Sequence, residues 1–179
     1  MVRVAELSLL FACFGALASS DTDLDTLVQE QIKGQPKKDG SCTAACPYGW
    51  VKFDNRCFTY FASPLDWYSA EIYCVNLGAN LASMHNENEY QMVKSLIRAH
   101  DPDENPAWIG LSACQKKFGW VWSDGTRFDF TRWNSNEPNY SHNGECCVNI
   151  NWAYSVPEKR WNDNPCEETF PFVCVKRLN

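Results

Sequence analysis

Apolar residues recur at helical spacing twice in the middle of the chain. Trp67, Ala70, Tyr73, Cys74 and Leu77 share one face of a 3.6-residue period, with Ser63 and Pro64 standing where an N-cap and a first helical residue belong. Asn86 followed by Glu89 has the form of a capping box, and Tyr90, Val93, Leu96 and Ile97 continue it as a second amphipathic face. After His100 the period shortens. Runs at 108–111, 119–122, 147–151 and 172–175 are short, rich in aromatic and β-branched residues and punctuated by Gly, Asp, Asn and Pro, which predicts strands. Between them, 124–165 is long and polar and reads as a loop poor in regular structure, of a length usually reserved for function or disorder.

The chain's beginning follows a different pattern. Arg3, an apolar stretch over 9–18 and the small residues Ala16, Ala18, Ser19 and Ser20 predict a secretory signal peptide over 1–20, with an apolar core too short to span a bilayer. No later segment is apolar enough to span either, so the protein is expected to be secreted. Leu24, Leu27, Val28 and Ile32 again fall at helical spacing, but 21–41 has no aromatic residue and ends in a Gly, Pro, Lys and Asp run. With so few apolar positions the segment is expected to fray, as a flexible arm or propeptide. The globular domain is placed at 42–179.

Composition narrows the function. Of 179 residues, 45% are hydrophobic and 14% aromatic, enough for one packed core, while a net charge of −6 without a Lys/Arg run argues against a nucleic-acid partner. Three histidines, with no Gly-x-Ser-x-Gly elbow, phosphate loop or His-Glu-x-x-His, leave no catalytic constellation, so the chain is not expected to be an enzyme. Ten cysteines in an exported chain imply disulfides rather than zinc; Cys13 would leave with the signal, and the nine that remain leave one thiol over. Counting alone does not give the pairing.

Oxygen donors cluster in the long loop: Glu137, Asn139, Glu145, Asn162 and Asp163. Calcium takes about six to eight oxygen ligands from carboxylates, amides, carbonyls and water, which this set suits. The same residue types are also common in any solvated loop.

The order of the landmarks decides between these. Cys46, Pro47, Gly49, Trp50, Cys57, Trp108-Ile109-Gly110-Leu111, Trp120-Val121-Trp122-Ser123-Asp124-Gly125, Trp133, Glu137-Pro138-Asn139, Glu145, Cys147-Val148, Trp161-Asn162-Asp163, Cys166 and Cys174 together resemble the C-type lectin signature. The resemblance implies an α+β C-type-lectin-like domain with two helices, short antiparallel sheets, a long calcium-binding loop and disulfide staples. It makes Glu137, Asn139, Glu145, Asn162 and Asp163 the ligands of the principal calcium site and of the sugar, and implies a cis Glu137–Pro138 bond. It also implies Cys46–Cys57, Cys74–Cys174, Cys114–Cys146 and Cys147–Cys166, the adjacent cysteines 146 and 147 being similar to those of fish type II antifreeze proteins and their lectin relatives. Cys42 is then left for an interchain bond, making a disulfide-linked homodimer, or for an intrachain bond or a small-thiol cap.

By the same resemblance the chain is a secreted, calcium-dependent lectin for glycans on cell or microbial surfaces. In the family, acid-proline-amide order goes with mannose-type sugars and Gln-Pro-Asp with galactose, although neighbouring residues can override the rule. Tyr140 and Cys146 stand where an accessory calcium site would need acids, so one ion is expected. Galactose binding and ice binding are the alternatives. Trp50, Trp108, Trp120, Trp122 and Trp161 are expected in the core, with Tyr140, Trp152 and Tyr154 nearer the sugar. Asn139-Tyr140-Ser141 is also a glycosylation sequon, and a modified Asn139 would not ligate calcium normally.

Overall fold

A computed structural model describes residues 21–34, 45–141, 144–152 and 158–178, with the side chains of 21–23 left aside. The expected signal peptide, Cys42, His142 and Tyr154 lie outside the described residues.

In chain order the elements are α1 (Asp21–Lys33), β1 (Val51–Phe53), β2 (Arg56–Leu65), α2 (Trp67–Asn76), β3 (Asn80–Leu81) and α3 (Glu87–His100). Then come β4 (Ala107–Ser112), β5 (Val121–Trp122), β6 (Glu145–Trp152), β7 (Arg160–Pro165) and β8 (Phe170–Arg177). The strands join in one eight-stranded sheet of order β1-β2-β8-β4-β6-β7, with β3 on β8 and β5 on β4. All pairings are antiparallel except β4 with β8. The expected separate short sheets are thus one mixed sheet, and β6 and β7 give the stretch 124–165 more regular structure than its polarity suggests.

Alternation along β4 and β8 sends side chains to two cores. Ala107, Ile109, Leu111, Val173 and Val175 join Tyr90, Val93, Leu96 and Ile97 of α3 on one side, while Trp108, Phe172 and Cys174 meet Ala70 and Cys74 of α2 on the other. Both faces being covered, every residue of β4 is buried. Gly110 is needed within it, because a Cβ there would stand 2.5 Å from the Leu81 carbonyl oxygen of β3.

The helix starts separate local from distant determinants. Asn86 caps α3 as its spacing implies, its side chain accepting from the Glu89 N–H at 2.9 Å. Glu89 reaches back one residue further than in a standard capping box, accepting from the His85 N–H at 2.8 Å, and its other oxygen pairs with Arg56 of β2, also at 2.8 Å. Ser63 and Pro64 do not begin α2. They lie in the irregular part of the β2–β8 ladder, between Phe61 and Leu65, where a proline forfeits no regular pairing. The cap is Asp66, which accepts from the Ser69 N–H at 3.0 Å. Of the expected α2 face, Ala70 and Cys74 are buried, while Tyr73 and Leu77 are exposed.

The segment expected to fray is instead a docked helix over 21–33, which adds a third helix to the two expected within 42–179. Val28 is 1% exposed, Leu24 and Ile32 pack beside it, and Asp25 forms an ion pair with Arg98 of α3 at 2.8 Å. Gln31 accepts from the Lys52 N–H at 2.7 Å and donates to its carbonyl at 3.2 Å, supplying the edge strand β1 with a side-chain partner. Tertiary contact, rather than intrinsic helix preference, holds the segment.

Four disulfides, Cys46–Cys57, Cys74–Cys174, Cys114–Cys146 and Cys147–Cys166, staple these elements and the segments between them. The last two lie against each other, with Cys114 and Cys166 sulfurs 3.4 Å apart.

Candidate functional site

The five oxygen-donor residues come from three places. Asn162 and Asp163 are buried in β7, 1% and 0% exposed, opposite Asn149 and Val148 of β6. Glu145 opens β6 and is also buried. Glu137 and Asn139 lie on the loop before it, joined through a cis Glu137–Pro138 bond.

Hydrogen bonds fasten that loop to β7. Asp163 accepts from the Asn139 N–H at 3.1 Å and, through its other oxygen, from the Tyr140 N–H at 2.9 Å. Glu137 accepts from the Asn139 side-chain amide at 2.9 Å and main-chain N–H at 3.1 Å. Asn139 in turn accepts from the Ser141 N–H at 2.6 Å. The structure therefore brings Glu137, Asn139, Asn162 and Asp163 together. It sets Glu145 beside Tyr140 in the adjoining cleft.

The Glu137 carboxyl lies against a second acid, Asp163. Burial, then the hydrogen bond and charge of Asp163, push the Glu137 carboxyl up to about 7, against a smaller opposing effect of the Asn139 bonds. The Asn162 side-chain NH2 donates to the Asp163 carbonyl at 2.6 Å, leaving its own Oδ1 buried without a hydrogen-bond partner. A buried amide oxygen of that kind costs about 1–3 kcal/mol unless something satisfies it.

The aromatic residues divide less simply than their sequence positions suggest. Trp108, Trp122 and Trp161 are core residues, whereas Trp50 is partly exposed beneath the Lys176 ammonium, 4.2 Å from its ring centre. Trp120 is only partly buried. It stands 4.9 Å from Trp133 and 5.7 Å from Tyr140, and Trp133 in turn lies 5.8 Å from Trp161, so a line of rings runs from core to site. Trp152 packs edge-on against Phe170 at 6.2 Å.

Three residues near the site escape a reading of the sequence. Asn134 is buried, donating to the Trp152 carbonyl at 2.9 Å and accepting from the Arg160 N–H at 3.2 Å, so it latches the loop to both β6 and β7. Lys117 and Phe118 flank Tyr140 from another loop, and a Phe following two lysines is the only local signal of them.

Comparison with known proteins agrees with this geometry. The Lectin C-type domain family matches residues 63–176. The chain is 43% identical over 143 residues to the lactose-binding lectin l-2 of Anguilla japonica, covering 78% of this chain and 82% of the eel protein. It is 41% identical over 137 residues to the type-2 ice-structuring protein of Osmerus mordax, covering 76% and 74%. Among solved structures, a Ca2+-dependent type II antifreeze protein in its Ca2+-free form matches with TM-score 0.66 and 36% identity, over 73% of this chain and 99% of that one. A calcium-independent type II antifreeze protein matches with TM-score 0.67 and 33% identity, over 76% and 98%. Of these relatives one is named as a lactose-binding lectin and the others as ice-structuring or antifreeze proteins. Among the described residues no helix is long and apolar enough to cross a membrane. Landmark order, mixed sheet, disulfide frame and family match together make this chain a member of the C-type lectin domain family.

Proposed function

We propose that the chain is a secreted lectin that binds glycans through one calcium ion held by Glu137, Asn139, Glu145, Asn162 and Asp163. The observation carrying this reading is the buried, unbonded Oδ1 of Asn162 beside the Asp163 carbonyl. Rotating that amide by half a turn puts Oδ1 where its NH2 now stands, so that two oxygens face each other. Oxygens so placed need a cation between them, and the Glu137 carboxyl, raised by burial first and then by the hydrogen bond and charge of Asp163, expresses the same want of positive charge. The donor set is all oxygen, which suits a hard cation.

When bound, calcium would supply coordination sites for two neighbouring sugar hydroxyls. The chain's own part is to hold acceptors and donors around them. Glu137 offers an acceptor and Asn139 a donor to adjacent hydroxyls, the order that in this family goes with mannose-type sugars. The name of the eel relative favours a second reading, lactose or another galactoside in the same site. The smelt relative's name raises ice binding as a third.

Inhibition of glycan binding by free mannose, galactose and lactose, with calcium and with chelator, tests the proposal. Mannose should compete best, and only with calcium. Stronger competition by lactose would transfer specificity from the Glu137–Asn139 pair to its neighbours. Sugar binding that ignores chelator would sink the calcium reading, and thermal hysteresis without sugar binding would favour ice.

A further inference from the structure

Phe118 and Tyr140 occupy conformations that need a reason. Phe118 has φ +61° and is 62% exposed, and Tyr140 across from it has φ +52°. Left-handed backbone costs a non-glycine residue about 1–2 kcal/mol, and an exposed phenylalanine recovers little of that by burial. The two are tied together all the same: the Phe118 N–H donates to the Tyr140 hydroxyl at 2.5 Å and the rings meet edge-on at 4.6 Å. Lys117 lays its ammonium over both, 5.4 Å from the Phe118 ring centre and 5.0 Å from that of Tyr140. Strain held in place around an exposed group points to function more than to stability.

The same residues border a cleft. About 230 Å³ in volume, it is lined by Lys117, Tyr140, Gly144 and Glu145 among others, a size suited to one small substituent rather than a whole oligosaccharide. Glu145 is the one carboxylate lining it among the described residues, and in the calcium reading its charge is engaged by the ion. Lys117 thus brings positive charge to a cleft that opens beside the sugar loop, and Tyr140 belongs to both, through its ring on one side and its N–H to Asp163 on the other.

We infer that the Lys117–Phe118 turn, clamped to Tyr140, forms a second subsite that takes an anionic substituent of the glycan bound at the Glu137–Asp163 site. The inference rests on the lectin reading above. A carboxylate, a sulfate ester or a phosphate ester would each accept charge-assisted hydrogen bonds from the Lys117 ammonium, while Phe118 and Tyr140 offer apolar ring surface to the sugar carrying it. An exposed ion pair of this kind is screened by salt, so the preference is modest and sensitive to ionic strength.

The test compares acidic glycans with their neutral parents on the full chain in calcium: 3′-sialyllactose and 3′-sulfated lactose with lactose, and 6-phosphomannobiose with mannobiose. At low salt at least one acidic member should bind about two- to fivefold tighter than its parent. The pairs separate carboxylate, sulfate and phosphate as sources of the charge. Lys117→Gln should remove the advantage without weakening the neutral parent, Lys117→Arg should keep it, and raised salt should erode it. Charge-blind binding in all pairs, or an advantage that survives Lys117→Gln, overturns the inference while leaving the lectin reading intact. Failure of every neutral parent to bind in a calcium-dependent way overturns that reading and this inference together.

Discussion

The Tyr140 N–H donates to the Asp163 carboxylate at 2.9 Å, so the conformation of a partly exposed loop is set from a fully buried residue of β7. Removing that carboxylate's charge should therefore act on loop order and ion affinity at once. Extracellular calcium modules commonly bind at about 10⁻⁴–10⁻³ M. Ten millimolar calcium, at roughly 10 to 100 times that constant, would then stabilise the fold by about 1.5–3 kcal/mol. Thermal melts with calcium and with chelator should show this shift in the wild type and lose it in Asp163→Asn and in Glu137→Gln. A shift retained in both variants would place the ion elsewhere.

Exchanging donor and acceptor leaves the formal charge of the pair unchanged. Glu137→Gln with Asn139→Asp should keep most calcium affinity yet lose mannose, with discrimination falling by about 1–3 kcal/mol as buried polar groups go unpaired. Competition assays with both free sugars read this directly. A double variant with unaltered preference would shift attention to Tyr140 and its neighbours.

Helix α2 carries a separate, acid-sensitive contribution. Bonding to the Ser69 side chain first, and then to the Ser69 N–H, holds the Asp66 carboxyl below its ordinary range. A depressed carboxylate stabilises above its unfolded value of about 3.9, and this contribution is lost as pH falls through the lower folded value. Asp66→Ala should cost about 1 kcal/mol at neutral pH, as for other N-caps. In urea unfolding the gap to wild type should hold down to about pH 5 and close below about pH 4. A gap that persists in acid would mean that packing, not the cap, is responsible.

The docking of α1 rests on Val28 with Leu24 and Ile32, on the Asp25–Arg98 pair and on the Gln31 bonds to Lys52. Val28→Ala should cost about 1–2 kcal/mol, and Val28→Ala with Arg98→Gln should release the helix locally. Hydrogen exchange should then accelerate over 21–33 while α3 stays protected. Equal acceleration in α3 would make α1 part of the main cooperative unit.

Eight cysteines are consumed by the four disulfides, and Cys42 is not among them. An interchain Cys42 bond predicts a dimer on non-reducing gels that Cys42→Ser abolishes. The variant should also lose avidity for multivalent glycan by about 10²–10⁴ where both sites can engage. A monomeric wild type refutes the link.

Features made by neighbours in sequence were legible and those made by distant partners were not. The Asn86 cap needs only the N–H three residues on, and its spacing reveals it. The start of α2 is set by β2 continuing to Leu65 opposite Phe170, so the attractive Ser63-Pro64 pair misleads. Likewise α1 is held by distant partners, Val28 by the core and Asp25 by Arg98, 73 residues away. Of the site, Glu137 and Asn139 stand out within the Glu137-Pro138-Asn139 triplet, yet Glu145, Asn162 and Asp163 are ordinary polar residues until placed in the ordered landmarks of a family. Lys117 and Phe118 had no such landmark, since they join the site only through Tyr140.

Part of the candidate site rides on β6 and β7, where Glu145, Asn162 and Asp163 are buried and Trp161 of β7 belongs to the core, and part rides on a loop of half-buried and exposed residues. A substitution at Asn162 or Asp163 is answered by the whole fold. One at Asn139, Tyr140 or Phe118 is answered only by what the protein binds. Such a division lets a scaffold exchange one ligand surface for another at little structural risk, keeping its anchor while its outer face is rewritten.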